Sequence, residues 1–156
     1  MPAPSHAVPG RSGAERIHHA GLSVGRMPSF PGIAHVSLTV TDVDTSTRWY
    51  TALLGSEPRR TMTDGPFVRR VFAVPGGQAI SIVQHDGAPP ADTFDPRRPG
   101  LDHLSFEVGA EAQLHAWERR LAELEVEHST VQRADYGSVL SFKDPDGNAL
   151  EFIASS

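Results

Sequence analysis

The stretch IAHVSLTV at residues 33–40 recurs, in altered form, as LDHLSFEV at residues 101–108. An offset of 68 residues aligns the His, Ser and final Val positions, and a pair of tryptophans shares that offset. Two further stretches, 72–83 and 142–153, align without a gap at an offset of 70. Self-similarity at a fixed spacing is typical of a duplicated structural unit. The sequence therefore predicts two tandem copies of one module.

Both modules have the same predicted order of elements. In the first stretch, Val36, Leu38 and Val40 alternate with polar residues, which is typical of a half-buried strand. Asp42 or Asp44 is placed to cap a helix that ends at Gly55. Further strands follow each helix, and the two tryptophans are expected to anchor helix to sheet. The pattern predicts an α+β fold of two tandem βαβββ modules.

The module pattern also predicts the domain organisation. Residues 1–29 lack apolar periodicity and are expected to form a flexible N-terminal extension. The domain is expected to span 30–156, with modules at about 32–85 and 100–154. The linker at 86–99 is rich in Pro and Gly, a composition typical of loops.

Composition narrows the function classes. The 156 residues suit one domain, and the net charge of −5 argues against a nucleic-acid binder. With no cysteine, disulfides and thiolate metal sites are excluded. No apolar run approaches the roughly 18 residues that a membrane span requires. We expect a cytoplasmic protein whose partner is a small-molecule substrate, with neither nucleic acid nor membrane.

The repeat symmetry identifies four positions as candidates for a functional site. The first and last strands of the two modules place His35, Ser81, His103 and Glu151 at equivalent inward positions. Strand formation does not require His or Glu there, although a strand histidine with a satisfied hydrogen bond is the ordinary alternative. Two imidazoles and a carboxylate suit a divalent first-row metal and leave coordination positions open for water and substrate.

These features resemble the vicinal oxygen chelate superfamily, which includes glyoxalase I, extradiol dioxygenases and bleomycin-resistance proteins. The resemblance rests on the two HxSx(T/E)V strands and on DPDGNALEF at 144–152, and it covers about residues 32–154. It implies a cupped, eight-stranded mixed sheet and a substrate chelated through adjacent oxygens. It also implies Fe2+, Mn2+, Ni2+ or Zn2+ held by His35, His103 and Glu151. A homodimer is implied too, since many relatives share sites between subunits.

One position departs from the glyoxalase pattern. Ser81 stands where glyoxalase I supplies a Glu or Gln, and a serine hydroxyl is a weak metal ligand. The remaining set is closer to the facial two-His, one-carboxylate arrangement of iron(II) dioxygenases. Those enzymes carry an acid–base His or Tyr beside the metal. Here the candidates are Tyr136 and His85, which shares a strand face with Ser81, and Glu151 is counted with them as catalytic.

The expected function is therefore a metal-dependent enzyme of the glyoxalase-like lyase or isomerase type, or of the dioxygenase type. The alternative is a metal-free protein that sequesters a drug or metabolite, as bleomycin-resistance members do. Four arginine doublets are either solvated surface or a clamp for an anionic substrate: 59–60, 69–70, 97–98 and 119–120. Phe67 is expected to lie in a loop, where its ring either closes over a ligand or packs against the protein.

Overall fold

The computed structural model describes residues 29–88 and 94–156 of the chain. The compact unit that carries the helices and strands spans Gly32–Ser156. The extension expected at 1–29 lies, except for its last residue, outside the described residues. Neither helix in the described part has the length and apolar character that a membrane crossing requires.

The first module forms a four-stranded sheet with one helix. Its elements are β1 (His35–Thr39), α1 (Val43–Leu54), β2 (Arg60–Gly65), β3 (Phe67–Ala73) and β4 (Ala79–His85). The strand order is β1-β4-β3-β2, in which β1 runs parallel to β4 and the other pairs are antiparallel. Phe67 begins β3, so the expectation that it lies in a loop is wrong. Its backbone continues the hydrogen-bonded ladder, with His85 as the partner in register.

The second module repeats this topology. Its elements are β5 (Leu104–Glu107), α2 (Glu111–Glu123), β6 (Gln132–Ala134), β7 (Gly137–Lys143) and β8 (Ala149–Ser155). The order β5-β8-β7-β6, with β5 parallel to β8, matches the first sheet element for element. The predicted duplication and the α+β class are confirmed. The eight strands are divided between two four-stranded sheets, one in each module.

The residues at its two ends determine where α1 begins and ends, as the sequence predicted. Of the two candidate caps, Asp42 is the N-cap, and its Oδ1 accepts hydrogen bonds from the backbone N–H groups of Asp44 (2.9 Å) and Thr45 (3.0 Å). The helix ends at Gly55 with φ of 66°, a left-handed conformation that favours glycine. In the sheet, Phe72 and Ile82 are completely buried in the core. Because strand side chains alternate, the opposite sheet face remains available for a site.

The DPDG turn joins the two modules. Tyr50 Oη of α1 donates to Asp144 Oδ2 at 3.0 Å, and both side chains are buried. Asp144 Oδ1 accepts from the backbone N–H groups of Asp146 (3.0 Å) and Asn148 (2.8 Å). Burial is the main cause that raises the pKa of both Tyr50 and Asp144. The motif that carried the family resemblance therefore has a structural role here.

The two tryptophans contribute to the same packing. Trp49 stacks on Phe142 of the other module, with ring centroids 6.4 Å apart. Trp117 stacks on Phe152 of its own module at 4.4 Å. Both tryptophans are partly buried against the core, as the sequence predicted. Aromatic pairs at these separations add stability beyond the area that they bury, at the module junction for Trp49 and within the second module for Trp117.

Candidate metal centre

Each sheet carries an open cavity. The cavity of the first sheet, here called the N-cup, has a volume of about 470 Å³. The cavity of the second sheet, here called the C-cup, has a volume of about 510 Å³. The duplication thus produces two comparable cups. The N-cup is lined by residues that include His35, Arg59, Arg60, Arg69 and Ser81, and the C-cup by residues that include Asp102, His103, Glu127, His128 and Glu151.

Two of the three predicted metal ligands line the C-cup. Glu151 lies on β8 in register with Ser105 of β5, whose hydroxyl donates to Glu151 Oε1 at 2.9 Å. His103 directly precedes β5, and its Nδ1 lies 2.7 Å from Asp102 Oδ1. With its Nδ1 proton donated to this carboxylate, the imidazole leaves the Nε2 lone pair free to bind a metal. The orienting hydrogen bonds of both side chains are therefore typical of a metal site.

The third predicted ligand lies in the other cup. His35 is the exposed first residue of β1 and lines the N-cup. Within residues 29–88 and 94–156, no group of three His, Asp or Glu side chains is close enough to hold a metal ion. A single chain thus brings His103 and Glu151 together but not His35.

Ser81 occupies the position that the repeat alignment assigned to it. It lies on β4 beside Ser37 of β1 and Val71 of β3, on the N-cup face. The residue is only 3% exposed, and its Oγ has no hydrogen-bond partner among the described residues. A buried hydroxyl without a partner is uncommon in proteins and requires an explanation.

The predicted acid–base residues lie elsewhere. His85 shares the strand face of Ser81, but four residues of strand put it roughly 13 Å further along, where its ring packs against Phe67. Tyr136 is 61% exposed in the turn between β6 and β7. Neither residue belongs to the described lining of the N-cup or the C-cup.

His128 is a candidate that the sequence reasoning missed. It lies in the connection from α2 to β6, is half-buried, and lines the C-cup with His103 and Glu151. Its Nδ1 is 2.6 Å from the carbonyl oxygen of Ser129. This segment has no alternating pattern. Extending the repeat at the offset of 68 would have paired His128 with Arg60, which lines the N-cup.

Comparison with known proteins identifies relatives of the domain. In a glyoxylase/bleomycin resistance protein/dioxygenase domain from Frankia sp. EAN1pec, 39% of residues are identical; the match covers 82% of this chain and 100% of that chain, with a TM-score of 0.76. A glyoxalase family protein from Enterococcus faecalis is 26% identical, covering 80% and 98%, with a TM-score of 0.64. Among curated proteins, none matches the chain.

A more distant likeness shows the fold alone. The fosfomycin resistance protein FosX from Listeria monocytogenes, in a glutamine-for-glutamate variant, is 21% identical, covering 82% of this chain and 95% of that chain, with a TM-score of 0.62. That structure is complexed with Mn(II) and 1S,2S-dihydroxypropylphosphonic acid.

The family model named Glyoxalase/Bleomycin resistance protein/Dioxygenase superfamily matches residues 32–152, well over half of the sequence. The chain therefore belongs to the glyoxalase/bleomycin resistance protein/dioxygenase superfamily.

Proposed function

We propose that the protein is a metal-dependent enzyme acting on a small substrate that is chelated through adjacent oxygens, in a lyase, isomerase or dioxygenase type of reaction. Its active centre forms between two copies of the chain, with His103 and Glu151 from one copy and His35 from the other. One observation carries this proposal. His103 and Glu151 share the C-cup with orienting hydrogen bonds, whereas His35 lies in the N-cup of the same chain.

The charges of the two cups support their pairing in a homodimer. The described lining of the N-cup includes three arginines and no carboxylate. The C-cup lining includes three carboxylates, Asp102, Glu127 and Glu151, against a single lysine, Lys143. Surfaces of opposite charge favour association in one register and disfavour the pairing of like cups. The N-cup of one copy is therefore suited to face the C-cup of another.

The donor set fits a divalent first-row metal such as Fe2+, Mn2+, Ni2+ or Zn2+. When bound, such an ion supplies Lewis acidity that polarises a chelating substrate oxygen. The protein's own contribution is orientation. Asp102 fixes the ring of His103, and the Ser105 hydroxyl fixes the carboxylate of Glu151. Such second-layer hydrogen bonds hold the ligands in place.

A proton carrier is available in the same cavity. When His128 donates its Nδ1 proton to the carbonyl of Ser129, its Nε2 is free to accept or return a proton. We assign the acid–base role to His128 because it shares the C-cup with His103 and Glu151. His85 and Tyr136 have no part in this proposal, since neither lines a cup.

Metal content tests the proposed function. Protein purified without chelator and without a polyhistidine tag is expected to bind about one divalent ion per chain, because each of two shared centres in a dimer holds one. Elemental analysis with light-scattering mass determination measures both quantities. A protein that stays metal-free after reconstitution with Fe2+, Mn2+, Ni2+ and Zn2+ would contradict the proposal and favour the sequestering alternative. A protein that is monomeric while holding metal would contradict the shared centre.

A further inference from the structure

We propose that the N-cup contains an oxyanion subsite, in which a carboxylate, phosphonate or phosphate group of the substrate binds between Arg69 and Ser81. The inference rests on the proposed function, because it assigns a substrate class to the same shared cavity. The substrate is then a small molecule with two adjacent chelating oxygens at one end and an oxyanion at the other. Both side chains of the subsite belong to the first module, and neither is a proposed metal ligand.

The two arginines of the 69–70 doublet have different roles. Arg70 points to the helix side of the sheet, where its Nη2 lies 3.6 Å from Asp44 Oδ1. Arg69 is on the opposite face, in register with Met62 of β2 and Val83 of β4, and it lines the N-cup. Alternation along a strand thus turns one member of the doublet towards an ion pair with the exposed Asp44 and the other into the cavity.

Two buried donors in the N-cup lack acceptors. Arg69 Nε is buried and has no hydrogen-bond partner among the described residues, and the same is true of Ser81 Oγ. Because Ser81 pairs with Val71 and Arg69 pairs with Val83, the two side chains are diagonal neighbours on adjacent strands. Arginine is only a donor, so its unmet requirement is for an acceptor. Both atoms are closed to solvent in this conformation, so a small side-chain shift must admit an oxyanion, which then accepts from both groups and balances the guanidinium charge.

The guanidinium is held in place before any ligand arrives. Arg69 Cζ lies over the Phe67 ring, 4.9 Å from its centroid. Gly65 makes room for that ring, since a Cβ there would lie 2.6 Å from Phe67 Cε1. Stacking on an aromatic face limits the rotamers of an arginine. Arg59 and Arg60 add positive charge to the same cavity.

A matched pair of probes separates the subsite from the metal centre. Acetohydroxamate chelates a metal through two adjacent oxygens, and phosphonoacetohydroxamate adds a phosphonate to the same chelating end. Calorimetric titration of the full-length protein loaded with Mn2+ is expected to give at least about tenfold tighter binding of the phosphonate probe, from charge-assisted hydrogen bonds. In Arg69→Gln this preference should fall to about twofold, while acetohydroxamate binds as in the wild type.

Arg70→Gln is the matched control, because it removes the same charge from the adjacent residue on the other sheet face. It should keep the full preference. Ser81→Ala gives a second variant that does not depend on Arg69→Gln folding well. It should reduce the preference about threefold. Its melting temperature should be equal or higher, because a buried hydroxyl without a partner is removed.

An unchanged preference in Arg69→Gln would overturn the subsite. If that variant also loses its dimer, the result would show that Arg69 pairs with a carboxylate of the other copy instead. Failure of acetohydroxamate to bind would instead count against the proposed metal centre. In that case inorganic phosphate alone is titrated, and phosphate binding that is lost in Arg69→Gln supports the subsite. Phosphate binding that is absent, or independent of Arg69, refutes it.

Discussion

Replacing Glu151 with Gln is expected to weaken metal binding by at least about a hundredfold, so that the purified variant holds almost no metal. The amide keeps the size of the side chain, and its oxygen can still accept from the Ser105 hydroxyl. What it loses is the negative charge that balances a divalent ion in a site whose other ligands are neutral imidazoles. Elemental analysis and competition with a chelator of known affinity measure the change.

Glu107→Gln is the control for this experiment. Glu107 is also a strand glutamate of the second module, but it accepts from Ser155 Oγ at 2.6 Å and lies outside the C-cup lining. Its replacement should leave metal content unchanged. Wild-type stoichiometry and affinity in Glu151→Gln would remove Glu151 from the ligand set and with it the proposed centre.

Replacing Asp144 with Ala is expected to lower the free energy of unfolding by about 3 to 5 kcal/mol, because several buried donors lose their acceptor at once. The carboxylate accepts from Tyr50 Oη, from the Asn148 side chain (2.8 Å), and from two backbone N–H groups of the turn. The Tyr50 bond joins α1 of the first module to the last hairpin of the second, and the other three hold the turn itself. Urea denaturation followed by tryptophan fluorescence measures the loss.

Asp135→Ala is the matched control, since Asp135 is exposed in the turn between β6 and β7. It should change stability by less than about 0.5 kcal/mol. Tyr50→Phe should cost about 1 kcal/mol, and its effect should not add fully to that of Asp144→Ala because the two side chains share a hydrogen bond. A nearly neutral Asp144→Ala would show that the turn does not hold the modules together.

The order of elements along the chain was predictable because the same pattern occurs twice. Once 33–40 was aligned with 101–108, each strand and helix of one module had a counterpart in the other, and alternation placed His35 and Ser81 on one face. The cap at Asp42 and the stop at Gly55 depend only on neighbouring residues, so local sequence was sufficient. Distances between equivalent positions of the two sheets depend on tertiary packing, which no repeat pattern contains. The separation of His35 from His103 and Glu151 was therefore not predictable.

Several site features also required the three-dimensional structure. His128 lies in an irregular connection, so periodicity gave no sign of its place in the C-cup. The doublet 69–70 looked uniform in sequence, yet its members face opposite sides of the sheet. Alternation along β4 gave the sheet face of His85 but not its place four residues beyond Ser81, because alternation reports orientation and not position along the strand. The role of Asp144 at the module junction follows from packing against Tyr50, far away in sequence.

The shared centre is tested most directly by metal binding in a mixed dimer of His35→Ala and His103→Ala chains, isolated with two different affinity tags other than polyhistidine. Each variant alone lacks one ligand in both of its centres and should bind little metal. In the mixed dimer, the His103→Ala chain supplies an intact His35 and the other chain supplies intact His103 and Glu151. We predict that the mixed dimer recovers one centre of wild-type affinity, or about half an ion per chain. No recovery of metal binding in the mixed dimer would contradict a centre built from two copies.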